Sequence, residues 1–127
     1  MEYTPITLEH AENPRNVGEM EHPDGHCSAE NPICGDTVEF WIKLGGEGQI
    51  IEDIVFKAFG CLAVSASASM LSVMVKGKSV SFAAAVSEDS LENALGGLPP
   101  AKRHGASLAL EAMQGALEEA ERVAGCS

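Results

Sequence analysis

Two cysteines, Cys34 and Cys61, and a carboxylate at Asp36 are the residues of this sequence best suited to gripping a metal ion. Thiolates are the favoured ligands of zinc and of iron–sulfur clusters, and a neighbouring carboxylate or imidazole can complete a mixed site. No Cys-x-x-Cys pair occurs, so the local signatures of zinc ribbons and thioredoxins are absent and any site has to be assembled by the fold.

A hairpin would do that assembly. Thr37 to Leu44 alternates apolar and polar residues like a strand, Gly45-Gly46-Glu47-Gly48-Gln49 has turn chemistry, and Ile50 to Phe59 is a second β-rich run. With the turn centred near Gly46 and Glu47, residue 34 falls opposite roughly residue 60, which makes Cys34 and Cys61 neighbours with Asp36 at the same sheet end. From Cys61 to Lys76 the period becomes helical, with Leu62, Ala66, Met70, Val73 and Met74 as the apolar stripe, Ser65, Ser69 and Ser72 elsewhere around the helix, and Gly77 as the stop. Cys61 then opens a helix, where unpaired N–H groups and the helix dipole favour a thiolate.

The rest of the chain offers fewer signals. Pro5 to Pro32 is rich in Pro, Asn, Gly and His and reads as an ordered arm or loop, with at most one short helix near Thr7 to Glu12. Ser87 caps a short helix that ends at Gly96-Gly97, and the final helix starts after Leu98-Pro99-Pro100. Its apolar face is Ala109, Met113, Ala116, Leu117, Ala120 and Val123, its solvated face carries Glu118, Glu119 and Glu121, and His104 lies in its opening turns. His10, His22 and His26 read as bystanders, Cys27 and Cys126 as free thiols, and Met70, Met74 and Met113 as helix core.

Composition narrows the function. A chain of 127 residues with 45% hydrophobic residues can fill one core but not two, so residues 1–127 are expected to form a single domain. Eight basic against 19 acidic residues give a formal net charge of -11, which repels phosphate backbones and argues against nucleic-acid binding. No apolar run approaches the ~20 residues of a membrane span, and Met1-Glu2-Tyr3-Thr4-Pro5 lacks a basic, apolar leader, so a cytoplasmic location is expected. In that reducing compartment the four cysteines are free thiols or metal ligands rather than disulfides.

Five segments, taken together, carry a resemblance: Asn13-Pro14-Arg15-Asn16-Val17-Gly18, Ile33-Cys34-Gly35-Asp36, Phe59-Gly60-Cys61, Val75-Lys76-Gly77-Lys78-Ser79 and Leu98-Pro99-Pro100-Ala101-Lys102-Arg103-His104. In their order and spacing the chain resembles the IscU/NifU-type iron–sulfur cluster scaffolds over nearly its whole length. The resemblance implies an α+β fold of the SufE/NifU-like kind, a small antiparallel sheet of about three strands flanked by helices. It implies a carrier rather than an enzyme, which takes sulfur from a cysteine desulfurase, builds a [2Fe–2S] cluster and passes it to recipient apoproteins, with zinc as an alternative occupant of the site. Carried over residue by residue, the ligand set is Cys34, Asp36, Cys61 and His104. Leu98 to Lys102 resembles the recognition peptide for an Hsp70-type chaperone, with Ala101 where the family usually has Val.

The chain departs from the family at one place: Gly105 follows His104 where a third cysteine is usual. Several consequences stay open. Cys34, Cys61, Asp36 and His104 could supply four mixed ligands to zinc or iron; Cys27 or Cys126 could serve as the third thiol; or a homodimer could pool two cysteines per protomer. Alternatively the protein is a zinc-bound or degenerate interaction protein that regulates the desulfurase or scaffold machinery. A thiol hydrolase using Cys34 and His104 ranks last, because no oxyanion loop or substrate pocket can be read. Near the start of a helix glycine costs up to about 1 kcal/mol relative to alanine, so Gly105 predicts a close approach or room for a ligand.

Overall fold

In the computed structural model, which describes residues 2–33 and 35–125, the alternating segments form an antiparallel sheet of three strands, β1 (Gly25–Glu30), β2 (Thr37–Gly45) and β3 (Ile50–Phe59), in the spatial order β1-β2-β3. Five helices accompany it: α1 (Pro5–Glu12), α2 (Leu62–Val75), α3 (Val80–Ala84), α4 (Glu88–Ala94) and α5 (His104–Gly125). Val38, Phe40 and Ile42 of β2 and Ile54 and Phe56 of β3 are buried on one face of the sheet, against α2 and α5. Each such side chain contributes about 1.5–3 kcal/mol when fully buried, so this face clamps the sheet to the two long helices.

The hairpin forms as its alternation predicts, with a register about two residues further along. Thr37 faces Phe59 rather than roughly residue 57. The turn occupies residues 46–49, and the pairing slips at a bulge between Lys43 and Leu44. Left-handed φ angles at Gly46, Glu47 and Gly48 make the turn tight.

The segment expected to be arm or loop corrects in two places. Residues 25–30 are a strand, because Cys27 and Ala29 pair with Phe40 and Val38 and so point into the core. That short strand is rich in Gly, Ser and Ala, and sheet pairing overrides its weak intrinsic preference. α1 starts at Pro5 under a Thr4 cap, and α3, which the sequence reading lacked, forms under a Ser79 cap. The arm also patches the outer edge of β3: Phe56 donates its N–H to the Asn16 carbonyl and accepts one from Gly18, while Ile51 accepts the Gly77 N–H and donates its own to the Lys78 carbonyl.

α2 buries a wider face than its apolar stripe, of which Ala66 is fully buried. Ser67, Ser69 and Ser72 are buried, whereas Val73 is 46% exposed. For Ser69 and Ser72 the reason is polar docking of the arm, whereas the buried Ser67 Oγ has no hydrogen-bond partner among the described residues. The Ser69 hydroxyl meets His10 Nδ1 at 2.8 Å and accepts the Arg15 N–H at 2.9 Å, and Asn16 Nδ2 donates to Ser72 Oγ at 3.0 Å. Met113 is fully buried as expected, and Met70 and Met74 are half-buried against the core.

His10 is therefore a core residue of α1, with its imidazole held below the ordinary value of 6.5, first by burial and then by the Arg15 charge. The unfolded chain takes up a proton near 6.5 that the folded chain refuses, so stability is lost as the pH falls below 6.5 toward the depressed folded value. Urea midpoints measured across this window should fall with pH in the parent, and the slope should flatten in His10→Asn.

Candidate metal centre

Asp36, Cys61 and His104 come from three distant stretches and converge. Asp36 immediately precedes β2, Cys61 is the N-cap of α2, and His104 is the first residue of α5. One donor atom from each lies within 4.8 Å of the others. His104 Nε2 sits between its partners, 3.2 Å from Asp36 Oδ2 and 3.9 Å from Cys61 Sγ. Tetrahedral zinc with bonds of about 2.0–2.3 Å separates neighbouring donors by about 3.3–3.8 Å, so the imidazole and carboxylate already have that spacing and an approach of the thiol would close all three on one ion. The set of one thiol, one imidazole and one carboxylate fits a borderline metal such as zinc or iron.

Each side chain is held by its element. Cys61 makes no side-chain cap bond, which leaves its sulfur free to face His104. Asp36 is 6% exposed and lies against Gly60, whose φ is +146°. A Cβ at Gly60 would overlap the Asp36 carboxylate, so glycine there both permits the backbone turn and makes room for that carboxylate. His104 follows a 3-10 turn over Pro100–Lys102 and Arg103. The guanidinium of Arg103 donates from Nε to Glu92 Oε1 at 2.8 Å and from Nη2 to Glu92 Oε2 at 3.1 Å, and these bonds raise its pKa. This fork pins the start of α5 to α4 and so fixes where the imidazole emerges. Sequence reasoning missed Glu92 and Gly60; the one available signal was an Arg directly before the candidate His.

Two of the expected thiol contributors, Cys34 and Cys126, lie outside the described residues. Cys27 is elsewhere: its pairing with Phe40 holds it against Gly115 of α5, 11 residues or about 16 Å along the helix from His104. His26 is a strand residue, stacked on Trp41 at 5.0 Å between ring centres and 2.5 Å from Glu39 Oε2. In the peptide Leu98 to Lys102, Leu98 is buried while Pro100 and Ala101 are exposed. Apolar Ile33 and Phe59, 92% and 71% exposed, sit in sequence beside the site residues.

Gly105 has its packing reason. A Cβ at this position would lie 2.9 Å from the Ala63 carbonyl carbon and oxygen and 3.0 Å from the Val64 nitrogen. The start of α5 thus touches the backbone of the first turn of α2, and that contact, rather than space for a ligand, accounts for the glycine. Gly105→Ala should lower stability by about 1–3 kcal/mol by forcing the two helices apart, despite the better helix propensity of alanine, as read from urea unfolding.

The family described as "NifU-like N terminal domain" matches residues 2–126. The iron-sulfur cluster assembly scaffold protein IscU of Aquifex aeolicus is 42% identical, over 98% of this chain and 86% of that protein. The protein of the same name in Escherichia coli K12 is 39% identical over 94% of both chains. The crystal structure of a nitrogen-fixing NifU-like protein (N-terminal) from Brucella abortus shares the fold, with a TM-score of 0.75 and 20% identity over 94% of both chains.

Proposed function

The chain belongs to the NifU-like N-terminal domain family, and from that premise we propose that it is an iron–sulfur cluster assembly scaffold. In this reading residues 1–127 are one scaffold domain that holds iron or a [2Fe–2S] cluster as cargo and hands it to recipient apoproteins. Cys34, Asp36, Cys61 and His104 are the ligands, and sulfur arrives from a cysteine desulfurase. The protein is a carrier rather than an enzyme, working in the cytoplasm where open thiols stay reduced.

The observation that carries this reading is the convergence of Asp36, Cys61 and His104 on one 4.8 Å cluster, in a chain whose relatives are named scaffolds. One donor is half-open: the side chain of His104 is 31% exposed, which suits a site that must load and release. Exposed Ile33 and Phe59 offer apolar area to an incoming desulfurase or recipient. Docking of an Hsp70-type chaperone on Leu98 to Lys102 would require Leu98 to leave the core. Among the described residues no helix is long and apolar enough to cross a membrane.

One observation favours a second reading, a zinc-bound interaction protein that regulates the desulfurase or scaffold machinery. The described donors mix sulfur, nitrogen and oxygen, and the contact at Gly105 leaves no space there for another side chain.

Anaerobic reconstitution with iron, sulfide and a cysteine desulfurase separates the two. A visible cluster chromophore is expected in the parent, abolished in Cys34→Ala and Cys61→Ala and weakened in Asp36→Ala and His104→Ala. Zinc as the sole bound metal, with no chromophore under these conditions, would overturn the scaffold reading in favour of the second.

A further inference from the structure

The two edges of the sheet are treated differently. The outer edge of β3 is patched by Asn16–Gly18 and by residues 77–80, through the Val17–Phe56 and Ile50–Ser79 bridges. β1 has no such cover among the described residues. Its ladder with β2, anchored by the Asn31 N–H to Asp36 carbonyl bond, directs alternate backbone groups inward. The N–H and C=O of His26, Ser28 and Glu30 therefore point away from the sheet. Of these, the Ser28 C=O accepts the Cys27 thiol at 3.8 Å; outward-facing edge groups of this kind are templates for another strand.

Alongside that edge runs a groove of about 700 Å³, walled by Cys27, Ser28 and Ala29 on one side and by one face of α5, from Ser107 to Glu118, on the other. Leu110 and Ala29 give it an apolar floor. Glu88, Glu111 and Glu118 line it, no Lys or Arg does, and none of the three is in an ion pair among the described residues. The thiol of Cys27 registers the field: burial, then the charges of Glu111, Glu119 and Glu118, push its pKa up. The groove is continuous with a smaller cleft that shares Ser107 and Glu111 and reaches Glu30 and His104.

We propose that this groove docks an extended, basic peptide segment of a partner protein, which adds to β1 as a fourth strand and ends beside His104. Main-chain bonds to the open edge supply affinity, and alternate Lys or Arg side chains facing α5 supply specificity by meeting the three glutamates. The docking rests on the groove alone; that the docked segment takes part in cargo traffic at His104 rests on the scaffold reading.

The probe is a fluorescein-labelled octapeptide alternating Lys and Val, titrated by anisotropy at physiological salt into the full chain. Three comparisons accompany it: the same peptide N-methylated at alternate backbone amides, a Glu/Val counterpart, and the protein variants Ser28→Pro and Glu111→Lys/Glu118→Lys. Saturable binding of the basic peptide is expected, weakened about tenfold or more by N-methylation, by Ser28→Pro and by the charge reversal, and absent for the acidic peptide. Equal binding of the N-methylated peptide would reduce the effect to general attraction by an acidic protein and overturn the proposal. So would no binding, or unchanged affinity in the charge-reversed variant. The anaerobic reconstitution run on the same protein keeps the two readings apart: a cluster chromophore with no peptide docking sinks only this proposal, and peptide docking with no chromophore sinks only the scaffold.

Discussion

The imidazole of His104, held between a thiol and a carboxylate, is the contact on which this molecule turns. Neither neighbour is local in sequence, so the triad exists only if three structural facts hold together: the register of β2 on β3, the start of α2 directly after the hairpin, and the docking of α5 across both. Each is secured by ordinary packing. Buried Phe40, Phe56 and Ile42 fix the register, because a slip of one residue would turn that whole row to the wrong face. The Glu92–Arg103 fork fixes the start of α5. The site is thus a consequence of the core, not an addition to it.

Two glycines show how closely the site is built. Gly60 gives way to the Asp36 carboxylate, and Gly105 lets α5 press on the backbone at Ala63 and Val64. The second has a chemical cost. At the position where the resemblance calls for a cysteine, helix contact takes the place of a ligand. The described donors are harder and more mixed than an all-thiolate set.

Much of this was legible in the sequence where chemistry is local. The alternation of Thr37 to Leu44, the glycine-rich turn, Gly77, the Ser87 cap and the double proline before α5 all mark elements that form. Asp36, Cys61 and His104 could be nominated because of their types and the motifs around them. What stayed hidden depends on long-range pairing. The small residues of β1 carry no strand signal, and only their partners on β2 and their packing on α5 make them a strand. The burial of Ser69 and Ser72 on α2 follows only once the arm's His10, Arg15 and Asn16 are placed against them. The role of Glu92 is invisible for the same reason: its partner arrives from another helix.

The central claim is that sulfur, nitrogen and oxygen from these three residues share one ion. X-ray absorption at the zinc edge of the zinc-loaded protein tests it most directly. The account predicts a mixed first shell, with sulfur at about 2.3 Å and nitrogen or oxygen at about 2.0–2.2 Å. A shell of nitrogen and oxygen alone, or of sulfur alone, would contradict it.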